Sequence, residues 1–165
     1  MTNEPDSTVE HQISEFPSLD TFSAPPEARI GQVQLDLVYA SWGQSSLGPP
    51  SALEWGNVQR GDPVRIETTH TPVTVHLRVT DSITDSGLPD VEQQRVWECE
   101  PPSGQPCNLR QTDGAVLLEI DETNDPDIDA RYAILQVEWF ALDEEQAALR
   151  LSASYAFDRG PARGD

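Results

Sequence analysis

The clearest alternation of apolar and polar residues lies between residues 131 and 157. In its first half the alternate apolar positions are Ala133, Leu135, Val137, Trp139 and Ala141. In its second half they are Leu149, Leu151, Ala153, Tyr155 and Phe157, separated by Arg150, Ser152, Ser154 and Ala156. Successive side chains of a strand point to opposite faces, so this pattern predicts two strands with one core face each and a solvent-facing side on the second.

An acidic segment, Asp143 to Gln146, joins these two strands. It is typical of a turn, although Asp143 could also be the N-cap of a short helix that ends near Leu149. The unbroken alternation after Ala148 favours the strand interpretation.

The second face of the first strand is also partly apolar, because it carries Tyr132, Ile134 and Phe140. An ordinary surface strand does not expose three such side chains together. We therefore expect these residues to contact either the chain's own N-terminal arm or another subunit.

The same period of two recurs through the middle of the chain. It predicts strands at Gln32–Ala40, Val64–Thr68, Pro72–Thr80, Arg95–Cys99, Cys107–Gln111 and Ala115–Ile120. In the first of these, one face is expected to hold Val33, Leu35, Leu37 and Tyr39. The next two could form a hairpin across Thr69, His70 and Thr71. About eight antiparallel strands without a convincing helix indicate an all-β sandwich, with a jelly-roll or an immunoglobulin-like topology.

Three segments follow from this pattern: an N-terminal arm at 1–29, a sandwich domain at 30–157 and a polar tail at 158–165. The arm is polar and acidic but holds scattered apolar residues, among them Phe16, Leu19 and Phe22. It is either a disordered tail or an extended arm that docks on its own sandwich or on a neighbouring subunit. If it docks on a neighbour, removing residues 1–28 should leave a folded domain that fails to assemble.

Charge is the strongest compositional signal. The chain has 29 acidic residues and ten basic ones, all arginine, for a net charge of −19. Such a surface suits molar salt, where the Debye length is only about 3 Å and like charges repel little. The acidity disfavours nucleic acid, which needs a basic stripe. No apolar run is long enough to span a bilayer, and the first residues do not resemble a secretory signal.

Cys99 and Cys107 are the only cysteines, and they flank a loop with three prolines. Paired strand ends would bring them within disulfide distance. A disulfide implies an oxidising setting. A virion component released by lysis would combine a disulfide with the absence of a secretory signal, whereas two free thiols would suit the cytoplasm of a high-salt organism.

Two other groups of residues are weak candidates for ligand binding. Trp42 and Trp55 lie in a predicted long loop and either stack on a sugar ring or cap the open end of the sandwich. Asp125, Asp127 and Asp129 alternate like the ligands of a calcium loop, but Ala130 and Gln136 stand where such a loop needs glycine and glutamate.

No nucleophile elbow, phosphate-binding loop or zinc-protease helix occurs in the chain. We therefore predict neither an enzyme nor a cofactor. The expected function is structural: a capsid, decoration or head–tail protein of a virion from a halophilic system, bound to other protein subunits. The alternative is a glycan- or surface-binding module.

Overall fold

The computed structural model describes residues 16–22, 24–43, 45–48, 51–53, 55–58, 62–90, 92–99, 107–120 and 130–160. These residues form eleven β-strands and one 3₁₀ turn, Leu19–Thr21. The strands are β1 Ala28–Ile30, β2 Val33–Gln34, β3 Asp36–Trp42, β4 Ser45–Leu47, β5 Val64–Ile66, β6 Thr74–Thr80, β7 Arg95–Glu98, β8 Cys107–Thr112, β9 Ala115–Ile120, β10 Tyr132–Leu142 and β11 Ala148–Asp158. No helix in this part of the chain is long and apolar enough to cross a membrane.

The strands build an antiparallel β-sandwich, which confirms the predicted fold class. One sheet has six strands in the order β4-β3-β11-β10-β6-β7, and the other has five in the order β2-β1-β5-β9-β8. The inner faces of both sheets meet in one apolar core, as expected of two stacked sheets.

The hairpin of β10 and β11 lies at the centre of the larger sheet. Its register runs without a break from Tyr132 opposite Asp158 to Leu142 opposite Ala148. In the turn, the Asp143 carboxylate accepts hydrogen bonds from the backbone N–H groups of Glu145 and Ala147, at 2.8 and 2.9 Å. The hairpin prediction is thus confirmed, and Asp143 stabilises a turn instead of opening a helix.

The predicted inner face of this hairpin is buried. Its core residues include Ala133, Leu135, Val137, Trp139, Leu151, Tyr155 and Phe157. The expectation that the other face of β11 is exposed to solvent is wrong, however, because Ser152 and Ser154 are buried as well. β11 is a central strand, and its small outward side chains lie between larger ones of β10 and β3, such as Gln136 and Tyr39, which stand opposite Ser154.

The strand predicted at Gln32–Ala40 is two strands. It breaks at Leu35, between β2 in the smaller sheet and β3 in the larger one. A register shift then occurs near Val38, because Tyr39 stands opposite Ser154 and Leu37 opposite Tyr155. Such a bulge reverses which later side chains face inward. Tyr39 is consequently exposed, and Ala40 is buried instead.

The predicted hairpin between Val64–Thr68 and Pro72–Thr80 does not form. β5 pairs with β1 and β9, whereas β6 pairs with β10 and β7 in the other sheet. Each strand has an apolar face toward the same core, and facing sheets bury both faces at once.

The sandwich extends past the predicted domain boundaries. β1 begins at Ala28, and Phe22 belongs to the core, so residues 16–29 are not a free arm. At the other end Asp158 and Arg159 are buried, although a polar tail was expected there. The Arg131 guanidinium donates to both carboxylate oxygens of Asp158, at 2.9 and 3.0 Å. These hydrogen bonds are the main reason why the pKa of Arg131 lies above its ordinary value.

Candidate functional site

The arm segment, defined as residues 16–22, packs against one end of its own sandwich. Pro17 accepts a hydrogen bond from the backbone N–H of Leu142 at 2.8 Å, and Ser18 forms a parallel bridge with the same residue. The following 3₁₀ turn is capped by Ser18, whose hydroxyl accepts from the N–H of Asp20. The arm thus continues the larger sheet for one short step.

Both phenylalanines of the arm segment contact the sandwich. The Phe16 ring lies 5.3 Å from that of Phe140, between centroids. Phe22 is only 8% exposed, stacks on His70 at 4.0 Å and meets the edge of Trp42 at 5.9 Å. Of the six predicted partner contacts, Phe16, Phe22 and Phe140 therefore serve the chain's own packing.

The other three predicted contacts also have neighbours within the chain. Leu19 packs against the core. The Tyr132 ring lies 5.0 Å from that of Trp55. Ile134 is half-buried on the outer face of β10, beside Ala156. Phe140 is therefore covered by the arm segment, and Tyr132 by the loop that holds Trp55.

Neither tryptophan predicted to stack on a ligand has a free ring in this structure. Trp42 lies in β3, is 6% exposed and contacts both Phe22 and Trp139. Trp55 packs on Tyr132 and donates its indole N–H to the Gly87 carbonyl at 2.6 Å. Trp42 therefore belongs to the core, and Trp55 packs against the start of β10.

The two tryptophans under the arm segment differ in hydrogen bonding. Trp139 donates its indole N–H to the His70 carbonyl at 3.0 Å. The Trp42 indole nitrogen is buried and has no hydrogen-bond partner among the residues described. A buried donor without an acceptor is costly, so removing it offsets part of the packing lost with the ring.

This difference predicts unequal costs for two matched substitutions. Trp139→Phe should destabilise the fold by about 2–3 kcal/mol, because it removes a made hydrogen bond and ring volume, and Trp42→Phe by only about 1 kcal/mol. Urea unfolding in molar KCl, followed by circular dichroism, measures both. A cost for Trp42→Phe equal to or above that of Trp139→Phe would contradict the unpaired state of the Trp42 nitrogen.

Two clefts adjoin the arm segment. One of about 250 Å³ lies between Phe22, Trp42 and the Glu67–His70 stretch. Another of about 400 Å³ is bordered by Phe16, His70 and Phe140. Within the described residues, no three His, Cys, Asp or Glu side chains come together as metal ligands.

Two predicted sites fall partly or wholly outside the described residues. Cys99 is buried and takes part in a disulfide. The side chain of Cys107 lies outside the described part, so its pairing with Cys99 stays a prediction. Asp125, Asp127 and Asp129 are also outside the described residues, and the cation site remains untested.

A second surface was missed by the sequence interpretation. Five large apolar side chains are more than a third exposed among the described residues: Val33, Tyr39, Leu47, Val73 and Val96. Three of them lie on strands that follow one another along the chain: Val33 on β2, Tyr39 on β3 and Leu47 on β4. We call this surface the uncharged flank, and define it by Val33, Leu37, Val38, Tyr39 and Leu47.

The uncharged flank is an open side of the sandwich. β4 is the edge strand of the larger sheet and β2 that of the smaller one. The sheets adjoin here, since the N–H of Leu35, between β2 and β3, donates to the Ala28 carbonyl at 2.8 Å. Val33 stands opposite buried Ile30, and Leu47 opposite buried Ala40. Both side chains therefore point toward the core side of their sheets, where no further strand of the described residues covers them, whereas Tyr39 points to the outer face of the larger sheet.

A charge gap in the sequence covers the part of this flank on β3 and β4, whereas Val33 lies outside it, beyond the exposed Asp36. Residues 37–53 contain no charged side chain, although charged residues make up 24% of the chain. Asp36 stands at one end of this run and Glu54 at the other. This gap is the signal by which sequence inspection could have found the flank.

The chain matches no protein-family model, and neither a similar curated protein nor a similar solved structure was found. The functional argument therefore depends on the chain's own surfaces.

Proposed function

We propose that this protein is a structural subunit that associates with copies of itself at high salt, as a capsid, decoration or head–tail component of a virion from a halophilic system. The uncharged flank is the observation that carries the proposal. It combines three exposed apolar side chains, of which Tyr39 and Leu47 lie in the charge-free segment 37–53, in a chain whose net charge is −19.

Electrostatics selects this surface for contact between copies. Two chains of charge −19 repel one another strongly unless salt screens them, and at about 1 M salt the Debye length is roughly 3 Å. Repulsion is then limited to charges that nearly touch. A contact through Val33, Tyr39 and Leu47 brings few such charges together.

The hydrophobic effect supplies the attraction. Covering the exposed parts of these three side chains should contribute about 1 kcal/mol each. The exposed edges of β2 and β4 add unpaired backbone groups, which a partner can satisfy. Association is therefore expected to require salt and to depend on the apolar side chains of the flank.

Leu47→Asp tests this proposal. In about 2 M KCl the unmodified chain should run as an oligomer in size-exclusion chromatography with light scattering, and the variant should dissociate at least about tenfold more readily, equivalent to about 1.4 kcal/mol. The reason is that the new carboxylate would be buried at the contact and would face copies of itself.

Val96→Asp is the matched control. Val96 is 47% exposed and Leu47 46%, and both lie on edge strands of the larger sheet, but at opposite sides. The control should assemble like the unmodified chain. A strictly monomeric unmodified protein in molar KCl would refute self-association, and equal effects of both substitutions would refute the role of the flank.

A further inference from the structure

The backbone groups of β10 point alternately to its two neighbours in the larger sheet. Toward β11, the Arg131 carbonyl accepts from the N–H of Arg159, and the N–H of Asp143 donates to the Ala147 carbonyl. The odd-numbered residues at both ends of β10 thus bond to the β11 side. The even-numbered residue Phe140 must therefore direct its N–H and its carbonyl to the opposite side, toward β6 and the arm segment.

Phe140 lies in a gap on that side of β10. Two residues earlier, the Glu138 carbonyl accepts from the N–H of Val73 at 2.8 Å, and two residues later the N–H of Leu142 donates to the Pro17 carbonyl at 2.8 Å. Neither backbone group of Phe140 has a hydrogen-bond partner there among the residues that the structure describes. One position of the sheet is therefore open between the end of β6 and the arm segment.

The residues that border the gap cannot close it. Pro72 and Pro17, one on each side, have no N–H, so neither can donate to the Phe140 carbonyl. Thr71 is held at the smaller sheet instead, because its hydroxyl donates to the Gln111 side chain at 2.8 Å. The local sequence thus leaves a hydrogen-bonding position of β10 unfilled.

The same border residues line a cleft of about 400 Å³. Its walls include Phe16, Val73 and Phe140, and Val73 is 41% exposed. Among the described residues that line the cleft there is no acidic residue and no arginine, although charged residues make up 24% of the chain. The cleft therefore favours an uncharged ligand with an apolar side chain.

The two open backbone groups select an extended peptide residue. In an antiparallel ladder, one residue exchanges both N–H···O bonds with the residue opposite. The N–H and C=O of a single trans amide, such as the acetamido group of a sugar, point in opposite directions, so that amide can meet only one of the two groups of Phe140. An amino-acid residue in an extended conformation meets both.

The chain's own continuation would fit this position poorly. Ser18 forms a parallel bridge with Leu142, so an extended segment before Phe16 would run along β10 past Phe140. The Phe16 and Phe140 rings are in contact on the outer face of the sheet. Alternation would then turn the Glu15 side chain toward the core, where a carboxylate is costly.

We propose that this gap is a docking site for another polypeptide, which inserts one extended, uncharged residue beside Phe140. The inserted residue accepts from the N–H of Phe140 and donates to its carbonyl. Its side chain lies on the outer face, next to the rings of Phe16 and Phe140. Main-chain hydrogen bonds supply the affinity in this mode of recognition, and the apolar walls supply the selectivity. The site uses none of the residues of the uncharged flank, so it goes beyond the proposed self-association and does not depend on it.

Titration of the ¹⁵N-labelled full-length protein with a capped Ser-Val-Ser tripeptide tests the docking site. In molar KCl, the amide resonance of Phe140 should shift and saturate with a dissociation constant of about 1 mM, as expected for two hydrogen bonds and one small side chain. In the free protein, the N–H of Phe140 should exchange with solvent at least about tenfold faster than that of Leu142, which is hydrogen-bonded.

Matched ligands and variants separate backbone pairing from unspecific adhesion. The ester analogue, in which oxygen replaces the valine N–H, should bind at least about tenfold more weakly, and so should a capped Glu-Val-Glu tripeptide. Val73→Asp should weaken binding of the parent tripeptide by a similar factor. Val96→Asp, at a valine that is 47% exposed on β7, should leave it unchanged. N-acetylglucosamine should give no saturable shift.

Several results would overturn the docking site. The absence of a saturable shift at Phe140 up to about 20 mM tripeptide would exclude it, and equal binding of the ester analogue would exclude backbone pairing. Slow exchange of the Phe140 N–H in the free protein, or binding that appears only after residues 1–15 are removed, would mean that the chain itself fills the gap. None of these results bears on the oligomeric state, so the proposed self-association is tested separately.

Discussion

Raising KCl from about 0.1 M to about 2 M should raise the melting temperature by roughly 10 °C or more, equivalent to about 3–5 kcal/mol for a chain of this size. The reason is the surplus of carboxylates, 29 against ten arginines. The ion pairs in the described part use few of them, for example Arg110 with Glu119 at 3.2 Å. Most acidic side chains therefore repel one another unless salt screens them.

Two controls separate screening from other effects of concentrated solutions. Sucrose of equal osmolality changes water activity without screening charge, and it should give a much smaller rise. A Glu144→Gln/Glu145→Gln variant should melt higher than the unmodified chain at low salt, because it removes two exposed charges from an acidic turn. A melting temperature independent of KCl would rule out the proposed adaptation to high salt.

Phe22→Ala should destabilise the fold by about 3–4 kcal/mol, as for a truncated core aromatic residue. Phe22 is in the core cluster although it precedes the first strand, and its loss opens a space against Trp42 and His70. Urea unfolding in molar KCl, at one fixed protein concentration, measures the change in the free energy of unfolding.

Phe16→Ala is the matched comparison within the same segment. Phe16 is only half-buried and contacts Phe140 at the surface, so its substitution should cost about 1 kcal/mol. Similar small costs for both substitutions would mean that the segment does not belong to the core. Removing residues 1–28 is not a clean test of assembly, because it also deletes Phe22 and the first residue of β1. Removing residues 1–15 spares both.

The missed uncharged flank shows where a face assignment from sequence fails. Continuing the alternation through Gln32–Ala40 places Tyr39 inside, yet one extra residue near Val38 turns it outward. A bulge is a single-residue irregularity that leaves no mark in the period of two. Leu47 was not assigned to any strand, because three residues are too few for a period to show.

The fate of the arm could not be predicted for a related reason. Phe16, Leu19 and Phe22 were recognised as apolar anchors. The rings that Phe16 and Phe22 contact belong to Phe140, Trp42 and His70, which lie elsewhere in the sequence. Whether an apolar side chain is buried depends on which distant segment packs against it. The local sequence pattern does not contain that information.

The sequence by itself determined the fold class, the central hairpin with its core face, and the acidic character of the surface. Each of these follows from residues adjacent along the chain, through the period of two or through simple counts of charge. Tertiary structure alone decided which strands are neighbours, that β5 and β6 lie in opposite sheets, and that Phe22 is buried while Val33 and Leu47 stay exposed. Whether a side chain near a sheet edge is buried depends on which strand is the last in that sheet. This strand order is fixed only when segments far apart in the sequence pair.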